Sequence, residues 1–330
     1  SMFIKRERYL AKIRSFYEVD LIKVLTGVRR CGKSVLLTQI EEEILAQNVP
    51  HDHIIRINFE DIQFEKIRTA EKLNQYVLEK ICDSDKYYIF LDEIQHVRQF
   101  EKVLASLRAT QNCSIFITGS NSKLLSGKMG TLLVRIMPFS FSEAYEYVTT
   151  AHGKTIAPDE FIFDYLRWGG FPQRFAFDQE SDITLYLQQT YQGIIDRDII
   201  TDAKRTNREK LLKIASYVMA NSGKEFSAQS ICNYFERQNN DPIDKASVYR
   251  YLDRMEKACL INRVKRFDIV GKRQLSYIEK QYAVDPGFRM INTNFTRYDN
   301  TFFLENIVYN ELFSRGYQIF VGKTQRGEID

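Results

Sequence analysis

Along the first part of the chain, short apolar runs alternate with segments of helical spacing. The runs Leu21–Thr26, Ile54–Glu60, Tyr87–Asp92, Ser114–Thr118 and Leu132–Met137 are rich in β-branched and aromatic residues, as strands buried on both faces are. After the first run, "KSVLLTQIEEEILAQ" sets Val35, Leu36, Ile40 and Ile44 at helical spacing with acidic residues between them. Strand and helix in alternation predict a parallel α/β sheet, whose ligands sit at the strand ends near the topological switch point. After Pro138 helices dominate, and "FSFSEAYEYV" and "DEFIFDYLRWGGFPQRFAF" read as a small helical lid or linker.

From Asn207 to Asp285 the pattern changes again. "REKLLKIASYVMANSG" is an amphipathic helix, "SAQSICNYFERQ" a second with Ser227 as its cap, and "DKASVYRYLDRMEKACL" a third with Val248, Leu252, Met255 and Cys259 on one face. "INRVKRFDIVGKRQLSYIEKQYAV" then reads as a β-hairpin with Gly271 near its turn. Three helices and a hairpin predict a winged helix. Its third helix would expose Ser247, Arg250 and Arg254, and its hairpin would add Lys265, Arg266, Lys272 and Arg273. In a reader of double-stranded DNA the first set meets bases and the second meets phosphates; a winged helix used only for domain packing is the alternative.

Chemistry enters at the end of the first strand. "GVRRCGKS", from Gly27 to Ser34, follows a strand and opens a helix, the context that a phosphate-binding loop requires. Gly27 and Gly32 let the backbone curl, so the N–H groups of Gly27, Val28, Arg29, Arg30, Cys31, Gly32, Lys33, Ser34 and Val35 are candidates to cradle phosphates at a positive helix end. Lys33 would reach the β- and γ-phosphates of ATP, and the Ser34 hydroxyl would bind Mg²⁺. Cys31 places its thiol either near the phosphates or outward. "YYIFLDEIQ" ends a buried strand in two adjacent carboxylates, which are costly to bury without a purpose. Asp92 would hold the Mg²⁺ and Glu93 would polarise the attacking water. "CSIFITGSNSKLLS" ends a third strand in small polar residues, and Thr118, Ser120 or Asn121 either senses the γ-phosphate or caps the following turn.

In the order they occur, "GVRRCGKS", "INFED", "FLDEIQ", "ITGSNSKLLS", "MPFSFSEAY", "YLRWGGFPQ", "YAVDPGFR" and "GKTQRGEID" make the chain resemble a family of bacterial and archaeal AAA-type ATPases with a C-terminal domain of unknown function. The resemblance implies an α/β P-loop NTPase core of the AAA/ASCE type, ATP with Mg²⁺ as cofactor, a winged helix and a restriction-endonuclease-like terminal part. It divides the chain into an ATPase core (1–138), a helical lid or linker (139–206), a winged helix (207–285) and a truncated endonuclease-like segment (286–330). In that last segment Glu305 and Asp330 match acidic metal-binding positions, while the strand with the remaining carboxylate and lysine is missing, so the chain is not expected to cut DNA. One departure stands out: "GTLLVRIMPFSF" runs directly from Leu133 through Arg135 to Pro138, where similar members have a longer stretch. Which arginine completes the site is therefore open. Arg174, Arg197 and Arg205 are either nucleotide-sensing or ordinary surface residues.

Composition adds limits. Lys and Arg total 47 against 43 Asp and Glu, a net charge of +4 that does not by itself call for nucleic acid. No apolar run is long enough to span a membrane, no signal peptide is evident, and Ser1 reads as a cloning remnant before Met2. Five scattered cysteines without CxxC spacing fit a reducing cytoplasm. The expected activity is Mg²⁺-dependent ATP hydrolysis whose nucleotide state controls the winged helix, with an unidentified protein partner and possible homo-oligomers. A DNA-binding regulator that uses ATP as a slow switch is the alternative, and an ATP-gated nuclease the third reading.

Overall fold

The five apolar runs pair into one parallel sheet. In the computed structural model the described residues are 4–330 except 129, 203, 226, 240, 269–270, 272, 294–299, 325–326 and 330. The chain forms two compact units, one of Phe3–Gly27 and Gly32–Ile136, the other of Val28–Cys31 and Met137–Asp330.

The first unit runs α1 (Glu7–Ile13), β1 (Ile22–Gly27), α2 (Lys33–Leu45), β2 (Ile54–Asn58), α3 (Ala70–Lys80), β3 (Tyr87–Asp92), α4 (Phe100–Thr110), β4 (Cys113–Gly119) and β5 (Thr131–Ile136). Strand order is β2-β3-β4-β1-β5, every pair parallel, with β1 between β4 and β5. On one face Ile22, Val24, Ile55, Ile57, Ile89 and Leu91 pack with Leu73, Val77, Val103 and Leu107 of α3 and α4. Strand period places the next residue, Lys23, on the other face. It is 1% exposed, and its ammonium donates to the Val19 carbonyl (3.0 Å) and the Ser114 hydroxyl (2.6 Å). Burial pulls its pKa down to about 8.

The second unit contributes α5 (Phe141–Thr150), α6 (Pro158–Trp168), α7 (Glu180–Ile194), a π-helical turn (Ile195–Ile199), α8 (Arg208–Ala220), α9 (Ala228–Asn239), α10 (Lys245–Lys257), β6 (Ile261–Asp268), β7 (Arg273–Ala283), α11 (Pro286–Asn292), α12 (Asn300–Ser314), β8 (Val321–Thr324) and β9 (Gly327–Ile329). The expected three helices and hairpin are there, with β6 and β7 antiparallel. The hairpin does not stand alone, because β6 also pairs in parallel with β8 and the sheet runs β7-β6-β8-β9 across the expected boundary at 285/286. From α12, the Asn306 amide donates to the Ala283 carbonyl (2.9 Å) and accepts from the Ala283 N–H (3.1 Å), tying the helix to the end of β7.

The glycines of "YLRWGGFPQ" lie against the aspartate of "YAVDPGFR". Asp285, 1% exposed, accepts from the N–H groups of Gly170 (2.7 Å) and Gly287 (2.9 Å). Gly169 has φ +74°, and a Cβ there would collide with the Asp285 carboxylate; one at Gly170 would collide with the Phe139 carbonyl. Arg174 is not a surface residue. It is 4% exposed and donates to the Gly169 carbonyl (3.0 and 2.8 Å) and to Asp164 (2.8 Å). Arg197 is exposed, and Arg205 is exposed beside Asp202 (3.6 Å).

Burial raises the Asp285 pKa to about 6, against the two N–H bonds that lower it. The unfolded value is near 4. Its contribution to stability is therefore full below about pH 4 and is lost as pH rises through 6. Between pH 7 and pH 5 this group should add about 1 kcal/mol to the stability of the folded protein. Urea denaturation at both pH values should show that increment in the wild type and not in Asp285→Asn.

Candidate functional site

The turn after β1 is shaped by two left-handed residues, Arg30 (φ +67°) and Gly32 (φ +106°), between which the chain reverses into α2. Gly32 is the N-cap of α2, so the first N–H groups of a full-length helix open onto the turn. The Lys33 side chain folds back along it, 3% exposed, and donates to the Gly27 carbonyl at 2.9 Å. Ser34 is exposed on the first helical turn and Val35 half-buried. Val28 and Cys31 are fully buried, so the Cys31 thiol does not point outward. Within the second unit, Arg29 forms a two-pronged ion pair with Asp198 (2.9 and 3.0 Å), and Arg30 reaches Gln173 (3.4 Å). Their side chains thus have partners of their own, and their backbones remain for the turn.

β3 delivers Asp92 and Glu93 beside this turn, 1% and 7% exposed. The Thr118 hydroxyl at the end of β4 donates to Asp92 Oδ1 (2.5 Å) and accepts from the Glu93 N–H (2.9 Å). Glu93 itself is left-handed, φ +60°, which for a side-chain-bearing residue costs roughly 1–2 kcal/mol and persists only where neighbours enforce it. That twist carries its carboxylate to Ser120 Oγ (3.2 and 3.4 Å), to Gln95 Nε2, and to 3.8 Å from Lys33 Nζ. Of the three small polar candidates, Thr118 props both acidic residues and Ser120 reaches Glu93. Asn121 is exposed and accepts from the Lys123 N–H (2.8 Å), a turn cap.

Two members of the cluster, Arg56 and Gln95, are given no role by the sequence, although Gln95 closes the "FLDEIQ" run. Arg56 of β2 stands 3.9 Å from Asp92 Oδ2, held by Glu41 of α2 (2.9 Å) and reaching the Ser34 carbonyl (3.4 Å). Its signal is register: Asn58 pairs with Asp92, and Arg56 is one strand period earlier. Gln95 lies two residues past Glu93, but on the 3₁₀ turn Ile94–His96, where the strand period no longer applies. Chemically, the cluster offers a positive helix end and a lysine for anionic oxygens, with a hydroxyl and carboxylate as hard oxygen donors.

A sequence model of the AAA domain matches residues 20–145, and a domain of unknown function, DUF8612, matches residues 159–298. An uncharacterised protein of Haemophilus influenzae is 34% identical over 336 residues, covering 99% of this chain and 83% of its own length. The chain belongs to this family of AAA-domain proteins. An uncharacterised protein of Methanocaldococcus jannaschii is 29% identical over 94% of this chain and 71% of its own length. Among solved structures, the AAA chain is similar to the STAND protein with a tetratricopeptide-repeat sensor from Pyrococcus horikoshii (TM-score 0.37, 17% identity, 96% of this chain and 46% of that one). It is also similar to the Aeropyrum pernix ORC1 protein solved with DNA (TM-score 0.37, 11% identity, 96% and 95%). These likenesses concern the fold, and the family rests on the sequence matches.

The Thr118 hydroxyl serves two buried groups, so removing it strands both. Thr118→Val should destabilise the AAA domain by about 2 kcal/mol, the usual cost of unpaired buried polar groups, whereas Thr118→Ser should stay near wild type. Chemical denaturation of the three proteins checks this.

Proposed function

We propose that this AAA protein binds ATP with Mg²⁺ and hydrolyses it to ADP and phosphate. The observation that carries the reading is the convergence of Lys33, Asp92 and Glu93 at the turn between β1 and α2, with Lys33 Nζ 3.8 Å from Glu93. Backbone N–H groups between Gly27 and Val35 take the phosphate oxygens, the Cys31 N–H, which donates to the Val28 carbonyl (3.2 Å), excepted, and Lys33 exchanges the Gly27 carbonyl for the β- and γ-phosphates. Ser34 and Asp92, an exposed hydroxyl and a carboxylate, are the oxygen donors that suit Mg²⁺. When bound, the ion neutralises charge on the transferring phosphoryl group. Glu93 takes a proton from the attacking water.

The domain scheme of core (1–138), lid or linker (139–206), winged helix (207–285) and endonuclease-like segment (286–330) belongs to the same proposal, with ATP state controlling the winged helix. The five cysteines form no disulfide, and among the described residues no helix is long and apolar enough to cross a membrane. Work in the cytoplasm, with a protein partner or further copies of the chain, is part of the same proposal. Lys33→Ala should abolish binding of a fluorescent ATP analogue. Glu93→Gln should bind it normally while releasing phosphate at least about a hundredfold more slowly, the scale of a missing general base. Wild-type turnover by Glu93→Gln would remove Glu93 from this role.

A second reading, DNA binding by the winged helix, has narrower support. Arg250 on α10 and Lys265 on β6 are exposed. Arg254 is half-buried and donates to Thr206 (2.7 Å), so it does not join an exposed basic face; Arg266 is half-buried too. Lys272, the Arg273 side chain and Asp330 lie outside the described residues. Glu305, the expected nuclease carboxylate, accepts from Lys280 (2.7 Å) and Tyr282 (2.6 Å), an anchor for α12 on β7. Double replacement Arg250→Ala and Lys265→Ala should weaken binding to all duplex sequences alike. It should also flatten the salt dependence by about one unit of slope for each phosphate that the variant no longer neutralises. Fluorescence anisotropy at several salt concentrations measures both, and wild-type protein that fails to bind at low salt leaves the domain to packing.

A further inference from the structure

The two oxygens of the Glu93 carboxylate are held unequally. Oε2 accepts from Gln95 Nε2 and from the Ser120 hydroxyl at 3.2 Å. Among the described residues, Oε1 has longer contacts, 3.4 Å to the same hydroxyl and 3.8 Å to Lys33 Nζ. The arrangement is built in from both flanking segments. Gln95 sits on the 3₁₀ turn Ile94–His96 that leaves β3, and Ser120 directly follows β4. Between them Gly119 provides the room: a Cβ there would stand 2.9 Å from Gln95 Oε1 and 2.6 Å from a Leu124 methyl.

We propose that Gln95 and Ser120 are positioning residues for hydrolysis, anchoring Glu93 Oε2 so that Oε1 is turned to the attacking water, with Gly119 as the clearance that lets Gln95 reach. This rests on the ATPase reading above. A glutamate side chain has three rotatable bonds, and a base acts only within hydrogen-bond reach of the proton it takes. Two donors on one oxygen fix those rotations before substrate arrives, which is where positioning gains rate. When Lys33 moves to the phosphates, Oε1 loses its nearest cation and keeps its direction. In the step, the water proton passes to Oε1, the new hydroxide forms a bond to the γ-phosphorus, and the bond from that phosphorus to the bridging oxygen of ADP breaks with its electron pair going to ADP. Neither Gln95 nor Ser120 touches the reacting atoms.

The test is steady-state ATP hydrolysis together with binding of a fluorescent ATP analogue, on the full chain. Gln95→Ala and Ser120→Ala should each lower kcat roughly 10- to 100-fold, the value of one hydrogen bond to a charged group, while the analogue binds as tightly as to wild type. Ser120→Thr, which keeps the hydroxyl, should restore most of the rate. Gly119→Ala should reproduce the loss by displacing Gln95. In a Glu93→Gln background Gln95→Ala should add nothing further, because the group it positions is gone. If wild type turns over and Glu93→Gln does not, yet Gln95→Ala and Ser120→Ala match wild type, the positioning role is wrong and the ATPase reading stands. A parallel fall in kcat and analogue binding would reduce both residues to structural supports and also overturn the proposal. A wild-type chain that binds the analogue without hydrolysing ATP overturns both readings.

Discussion

Two adjacent carboxylates, Asp92 and Glu93, are almost sealed from water at the end of β3, and the rest of the site follows from that constraint. An ionised carboxylate without partners is among the most expensive groups a fold can bury. Its partners here come from separate elements: Thr118 and Ser120 from the end of β4, Arg56 from β2, and Lys33 from the start of α2. Only a sheet that places β3 between β2 and β4, with β1 beyond β4, brings all of them to one edge. Strand order and site chemistry are therefore one fact. A sheet with β3 at its margin would lose Arg56 or Thr118 and leave a buried charge short of a partner.

What the sequence makes legible are the parts with strong local signals. Each of the five strands lies within two residues of its expected bounds at either end; the central β1, β3 and β4 are buried almost throughout and leave continuous apolar runs, and the part-buried edge strands β2 and β5 keep enough apolar residues to follow them. The strand, glycine turn and helix around "GVRRCGKS" are legible because they follow one another within a few residues. Arg56 and Gln95 are not, since each acts across a strand boundary or a turn that only the register and the left-handed twist at Glu93 define. Lys23 and Arg174 show the opposite failure. One hides in an apolar run and the other looks like any surface arginine, yet both are buried and satisfied by carbonyls. Composition carries no signal for a cation solvated by backbone.

The second unit buries an acid too, and answers the same constraint by other means. Asp285 is held by backbone N–H groups and has a pKa raised to about 6, so near neutral pH it sits close to its own titration. Asp92 and Glu93 have Arg56 and Lys33 close by instead. The difference separates the motifs carrying the family resemblance into two kinds. "GVRRCGKS" and "FLDEIQ" gather groups that anionic oxygens can use. "YLRWGGFPQ" and "YAVDPGFR" are a steric and hydrogen-bonding lock in which Gly169 and Gly170 leave room for a carboxylate and a carbonyl. Both kinds look equally motif-like in one dimension, and only burial and partners tell them apart.

The pairing of the hairpin limits what the second unit can present to a partner. In a free wing both strands would be open at their outer edges. Here β6 lies inside the sheet, hydrogen-bonded to β7 on one side and to β8 on the other. Its far partner β7 is further pinned by Glu305 and Asn306 of α12. A strand so enclosed cannot swing to follow a groove, so any phosphate it meets must come to Lys265 where that residue stands. With Arg254 committed to Thr206, the expected basic positions that stay exposed among the described residues are Arg250 on a helix and Lys265 on a strand paired along both edges.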